Sequence, residues 1–284
     1  MASAAIEVSE LHKSYDGVEA VRGLSFAVEP GEVFGLLGPN GAGKTTTVEI
    51  LEGYRDRSGG EVRVLGHDPA ERDRRIRERV GIVLQSCGFY PRLTVREALE
   101  HFAKAYPHPR QTEETIALVG LDAKADTRAN ELSGGQRRRL DLALALVGDP
   151  ELVFLDEPTT GFDPAARRTA WNTVRRLKEL GKTVLLTTHY LEEAQSLADR
   201  VAIVKAGQIV AEGPPGELGP GRSSYRVSYV SGGRRVEHHT DDPTDLLHRL
   251  TRDALGRDER LEGLEVSRPT LEDVYLELTA EEGS

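Results

Sequence analysis

The sequence predicts an α/β fold, with strands and helices alternating around a mostly parallel core sheet. Three observations carry this prediction. "EVFGLL" (Glu32–Leu37) is an apolar run that ends in a glycine-rich turn and continues as a helix-patterned stretch from Lys44. Further apolar β-rich runs follow, separated by helical patterns rather than by short hairpin turns. A Pro/Gly-rich break, "GPPGELGPGRSS" (Gly213–Ser224), then separates this region from a short tail.

After the first strand, Val48 and Leu51 share one side of a helix that Gly53 is placed to stop. "GEVRVLG" (Gly60–Gly66) alternates apolar and polar residues as a half-buried strand does, and "RVGIVLQ" (Arg79–Gln85) is another β-rich run. From about 90 to 150 the pattern is mainly helical and predicts a helical subdomain, interrupted by "YPHPRQ" and "LDAKADTRANE". "LVFLDEP" (Leu152–Pro158) and "TVLLTTH" (Thr183–His189) read as buried strands. A helix at Leu191–Ala198 leads to the strands of Arg200–Gly213. The break sets expected domains of 1–220 and 221–284. The second holds a hairpin from Tyr225 to Thr240, a helix over Pro243–Leu255 and a final helix over Thr270–Thr279.

Composition narrows the functional classes. With 30% charged residues, a net charge of -10 and a pI near 5.4, the 284-residue chain is disfavoured as a nonspecific binder of nucleic acid or anionic lipid. The single cysteine, Cys87, allows neither an internal disulfide nor a thiolate metal cluster, and suits a reducing cytoplasm. Apolar runs such as Leu142–Val147 fall far short of the ~18 residues that span a bilayer. His238 and His239 are adjacent, so on a strand they point to opposite faces and make no ligand pair.

Gly38, Pro39, Asn40, Gly41, Ala42, Gly43, Lys44 and Thr45 match G-x-x-x-x-G-K-[ST] without departure, and Thr46 follows. Such a turn directs successive backbone N–H groups into one concavity at a helix N-terminus, where phosphate is favoured. Lys44 then reaches the β- and γ-phosphates and Thr45 ligates Mg²⁺, which makes a nucleotide with Mg²⁺ the expected ligand. Asp156 ends the "LVFLD" strand, where a P-loop protein places its second Mg²⁺ anchor. Glu157 is then placed to poise a water for attack on the γ-phosphorus, and Pro158 is expected to hold Glu157 extended. His189 ends a strand of the same sheet and so faces the ligand crevice as a γ-phosphate sensor. Tyr15 offers a ring face for a base, although an exposed tyrosine is ordinarily just surface.

"LSGGQ" (Leu132, Ser133, Gly134, Gly135, Gln136) is a second glycine turn ahead of a helix. With the P-loop, "LSGGQ", "LDEP" and a downstream His in this order, the chain resembles the ATP-binding subunits of ABC transporters from Ile6 to about Gly213. The resemblance implies a P-loop NTPase fold and ATP hydrolysis coupled to transport. It places adenine stacking on Tyr15, Mg²⁺ and water on Gln85, and a dimer-contacting loop on Asp163. It also implies two subunits packed head to tail, most simply a homodimer, with Ser133 and the N–H groups of Gly134 and Gly135 closing the partner's γ-phosphate site. A separate transmembrane permease subunit is implied as well, with this chain peripheral on the cytoplasmic face of the membrane and no nucleic-acid partner.

The tail, through "SRPTLEDVYLELT", resembles the extension of daunorubicin-resistance-type exporter ATPases, which implies a drug, antibiotic or lipid-like cargo. Phe162 departs from the leucine common in the loop after "LDEP". Ribosome- or DNA-associated relatives of this ATPase type are the alternative. A single P-loop and the short stretch from Thr46 to Leu132, with no room for a coiled coil, favour transport.

Overall fold

The computed structural model describes residues 3–83, 91–218, 225–231, 233–257, 260–267 and Tyr275. The chain divides into two compact units, Met1–Glu212 and Gly213–Ser284. In the first, β1 (Ile6–Tyr15) and β2 (Val18–Val28) pair antiparallel. Asp16 and Gly17 both take positive φ between them, as the two-residue turn of a tight hairpin requires.

Next come β3 (Val33–Leu37), buried along its whole length, and α1 (Lys44–Leu51). β4 (Gly59–Val64) pairs antiparallel with the free edge of β1, giving a three-stranded sheet in the order β2-β1-β4. The chain continues through α2 (Arg74–Arg79) into β5 (Val80–Val83).

A helical region follows: α3 (Val95–Ala103), α4 (Thr112–Leu118) and α5 (Gly134–Leu146). α3 starts at a capping box in which Thr94 and Glu97 satisfy each other's backbone N–H groups, and it buries Val95, Ala98 and Leu99. β6 (Leu152–Asp156), α6 (Pro164–Glu179), β7 (Thr183–Thr188), α7 (Leu191–Leu197), β8 (Arg200–Lys205) and β9 (Gln208–Gly213) complete the unit. The main sheet runs β5-β6-β7-β3-β8-β9, and the first four pairings are all parallel.

Alternation along the buried strands builds two cores from one sheet. Val33, Val153, Leu155, Val184 and Leu186 join the helical side with Leu99, Leu140 and Trp171. Phe34, Leu36, Phe154, Leu185 and Ala202 face the other way, onto α1 and the antiparallel sheet. There Phe26 of β2 stacks on Phe34 with ring centroids 5.3 Å apart. The parallel sheet is therefore covered on both faces, so its strands read as mainly apolar runs.

In the second unit β10 (Tyr225–Ser231), β11 (Arg234–Thr240) and β12 (Glu262–Ser267) form an antiparallel sheet in the order β11-β10-β12. α8 (Pro243–Gly256), capped by the Asp242 side chain, precedes β12. His238 stacks near Tyr229 while His239 is exposed. Residues 270–274 and 276–279 of the expected final helix lie outside the described residues.

Candidate nucleotide site

β3, β6 and β7 end together at the carboxyl edge of the sheet, the edge where open parallel sheets take ligands. The loop from Gly38 to Gly43 leaves β3 there, pressed close to its neighbours. A Cβ at Gly38 would stand 2.2 Å from the Val204 carbonyl oxygen, and one at Gly43 would stand 2.5 Å from that of Ala20. Gly43 also takes φ 100 as the residue preceding α1, a conformation that side chains rarely tolerate. Ala42 anchors the loop through its carbonyl, which accepts from the Gly207 N–H. The first N–H groups of a helix such as α1 have no intrahelical partner, which favours an anion beside the loop. A cleft of ≈450 Å³ opens here, lined by Ala20, Asn40, Gly41, Gly43, Lys44, Thr45, Thr46 and Glu157.

Lys44 is 4% exposed. Its Nζ donates to the Gly38 carbonyl at 2.8 Å and the Pro39 carbonyl at 3.0 Å, and lies 3.9 Å from Glu157 Oε1. Burial lowers its pKa, against the pull of Glu157 and Asp156. Asp156 Oδ1 accepts from Thr187 Oγ1 at 2.5 Å, and Oδ2 lies 3.5 Å from Thr45 Oγ1. Burial raises the Asp156 pKa, opposed by the Thr187 hydroxyl and reinforced by the neighbouring Glu157 charge. The hydroxyl and carboxylate are hard oxygen donors of the kind Mg²⁺ takes, and a bound phosphate would supply further ones.

Glu157 does not adopt the extended backbone expected from Pro158; its φ is 45, in the left-handed region. The chain must leave β6 and turn at once, and the Glu157 carbonyl accepts from the Thr160 N–H at 3.2 Å to close that turn. Thr187 Oγ1 holds the Glu157 N–H at 3.0 Å. The carboxylate meets His189 Nδ1 at 3.2 Å and the Thr160 hydroxyl at 3.1 Å. Hydrogen bonds through Thr187 and the Lys44–Glu157 ion pair thus bring Lys44, Thr45, Asp156, Glu157 and His189 into one corner.

Tyr15 is not among the residues lining the cleft. Its ring sits at the end of β1, with Lys13 Nζ 5.0 Å and the Arg55 guanidinium 5.2 Å from its centroid. Gln85 lies outside the described residues. Ser133 caps α5 in a second capping box: its Oγ accepts from the Gln136 N–H, and Gln136 Oε1 accepts from the Ser133 N–H. Leu132 is buried and holds this turn against the core, while Ser133 and Gly134 are exposed. Among the described residues a Cβ at Gly134 would meet nothing within 4 Å, whereas one at Gly135 would touch Ala166 at 3.4 Å. Asp163 caps α6, its Oδ1 accepting from Ala165 N and Ala166 N.

Sequence reasoning missed Thr187, which holds both acidic residues. Buried threonines ending a strand ask for partners, but the strand's own sequence does not say which residues they are.

Residues 21–160 match the family described as ABC transporter. A Nod factor export ATP-binding protein I from Burkholderia pseudomallei (strain K96243) is 40% identical, over 99% of this chain and 99% of its own. Its counterpart in Rhizobium meliloti (strain 1021) is 40% identical over 98% and 89%. A dimeric ATP-binding cassette solved in a post-hydrolysis state with ADP and Pi superposes with a TM-score of 0.66 at 25% identity, covering 74% of this chain and 98% of that one. An ATP-binding subunit of an ABC transporter matches 97% of this chain and 99% of its own with a TM-score of 0.70, at 23% identity, and so speaks to the fold alone.

Proposed function

The chain belongs to the ATP-binding proteins of ABC transporters, and from that premise we propose that it powers an exporter as a head-to-tail pair of copies docked on a separate transmembrane permease. Among the described residues no helix is long and apolar enough to cross a membrane, so in this reading the permease spans it and this chain works peripherally at the cytoplasmic face. The relatives at 40% identity are named for Nod factor export, which supports outward transport. The tail's resemblance to daunorubicin-type subunits supports a drug, antibiotic or lipid-like cargo, though cargo contacts belong to the permease.

One observation supports the catalytic reading above all: Glu157 lies 3.2 Å from His189 and 3.9 Å from Lys44, in the cleft that the phosphate loop forms. Lys44 exchanges its loop carbonyls for β- and γ-phosphate oxygens. Thr45 and Asp156 would hold Mg²⁺, which would neutralise phosphate charge, and Gln85 would complete that set by family position. Glu157 takes the proton of the attacking water, and the bond from the γ-phosphorus to the bridging oxygen breaks to leave ADP and phosphate. His189, in contact with Glu157, senses the γ-phosphate.

The exposed Ser133–Gly134 turn serves the other copy's site. Gly134 has open space around it, so nothing among the described residues requires a glycine there, and an approaching partner supplies the reason. Contacts to the γ-phosphate exist only in the closed pair, so ATP favours closure and hydrolysis releases it.

Glu157→Gln tests the assignment. ATP binding should persist while phosphate release falls by roughly 10²-fold or more. Turnover at the wild-type rate would remove Glu157 from the role of base.

A further inference from the structure

We propose that Glu193 is a positioning residue for ATP hydrolysis, its buried carboxylate tying the loop after Glu157 to α6 and α7 so that Glu157 and His189 keep a fixed relation. The inference rests on the assignment of Glu157 as the base.

Glu193 is fully buried, at 0% exposure, in the first turn of α7. Its Oε1 accepts two hydrogen bonds, from Thr159 Oγ1 at 2.8 Å and from Trp171 Nε1 at 3.1 Å. Thr159 is itself 1% exposed and lies two residues past Glu157, inside the turn that sets the left-handed backbone there. Its carbonyl accepts from the Phe162 N–H, so the same residue shapes the approach to Asp163. Trp171 belongs to α6, which Asp163 caps. One oxygen atom thus gathers the catalytic loop and two helices.

The link to His189 is equally short. α7 begins two residues after it, and the Tyr190 N–H is held by Thr188 Oγ1 at 2.9 Å. The His189 ring packs on that of Tyr190, with centroids 4.1 Å apart, and the Arg167 guanidinium of α6 covers the Tyr190 ring at 4.9 Å. Both residues that contact the reacting region therefore depend on segments that Glu193 joins.

An ordinary packing role explains this arrangement poorly. Burying a carboxylate is costly, and an apolar side chain of similar volume would fill the site without that cost. Burial pushes the Glu193 pKa up, opposed by the hydroxyls of Thr188 and Thr159, the Trp171 indole and the Arg167 charge. Oε2 has no hydrogen-bond partner among the described residues, and Glu193 lines a cavity of ≈20 Å³, room for one water. The carboxylate gives the loop a defined position, and a shift of about 1 Å at a catalytic group is enough to cost up to 10²-fold in rate.

The test uses the full chain and separates kcat from the ATP KM. Glu193→Ala should lower kcat by roughly 10-fold or more while KM stays within about 3-fold. Glu193→Gln keeps an acceptor oxygen for Thr159 and Trp171 and should recover most of the lost rate. Thr159→Val, with Glu193 intact, should also lower kcat, and the double variant should be no worse than the poorer single, because both act through one bond. Should Glu193→Ala fail to fold, Thr159→Val and Glu193→Gln carry the test. A folded Glu193→Ala with wild-type kcat, a Gln variant as slow as the Ala variant, or multiplying effects in the double variant would overturn the proposal. Glu157→Gln is assayed beside them: if it stays active the base assignment fails, and if it is dead while Glu193→Ala is unaffected only the positioning role fails.

Discussion

Glu157 holds a left-handed backbone although it is neither glycine nor asparagine and a proline follows it. Such a conformation costs on the order of 1–3 kcal/mol and persists only where the surroundings over-determine it. Here Thr187 fixes its N–H, Thr160 fixes its carbonyl, and His189 with Thr160 fixes its carboxylate. The strain orients a carboxylate into the cleft that an extended strand end would carry past it. Tyr15 is the contrasting case. Its ring is flanked by Lys13 and Arg55, so a base stacking there competes with a cation for the ring face and gains nothing from the hydroxyl. Tyr15→Phe should therefore leave ATP affinity nearly unchanged, while Tyr15→Ala should weaken it by about 1–3 kcal/mol. Titration with a fluorescent ATP analogue measures both; equal affinities for the Ala variant and wild type would take Tyr15 out of the site.

At the scale of elements, α5 joins an exposed glycine turn to a buried helix body. Ser133 and Gln136 satisfy the first donors, and Leu140, Ala143 and Val147 anchor the body in the helical-side core. Asp141 is out of keeping with that core. It is buried, one oxygen has no partner among the described residues, and Arg138 comes no closer than 3.8 Å. Burial raises its pKa from 3.8 to about 6, with Arg138 and Arg137 opposing. The folded chain therefore binds this proton more tightly than the unfolded chain. The ionisation penalty is absent below the unfolded value, grows as pH rises, and is complete above the folded value. Asp141→Asn should raise stability at pH 8, by no more than about 3 kcal/mol, and the gain should vanish near pH 4. Thermal unfolding at the two pH values checks this; an equal gain at both would place the penalty elsewhere.

The same scale explains what the sequence disclosed. β3, β6 and β7 were legible because burial on both faces leaves mainly apolar β-favouring runs, and the phosphate loop because its glycines answer to backbone geometry. β1 and β2 mix buried and exposed positions with register shifts, which blurs the period of two; the Asp16-Gly17 turn was the usable signal. α6 was missed because many arginines obscure its stripe of Ala170, Trp171, Val174 and Leu177. Thr187 and Glu193 pair across elements remote in the chain, and no local pattern names those partners.

For the whole molecule, the decisive step is the proposed pairing, in which the P-loop and the Ser133–Gly134 turn would each form half of a site completed in trans. Lys44→Ala removes the loop's cation, and Ser133→Arg puts a bulky side chain where the γ-phosphate of the other copy would sit. A homodimer of either variant has two damaged sites. A mixed dimer concentrates both lesions in one site, because the Lys44→Ala loop then faces the Ser133→Arg turn, and leaves the second site wild type. Mixing the two inactive proteins with the permease should therefore restore part of the ATPase activity. Sites completed within one chain predict no recovery, since each chain carries its own defect. Strict two-site cooperativity would also suppress recovery, and a crosslink separates that case. Ser133→Cys in one chain and Asn40→Cys in the other should join in an ATP-dependent bond if the turn of one copy closes the loop of its partner. Absence of both the recovered activity and the bond in proven mixed dimers would leave each chain closing its own site.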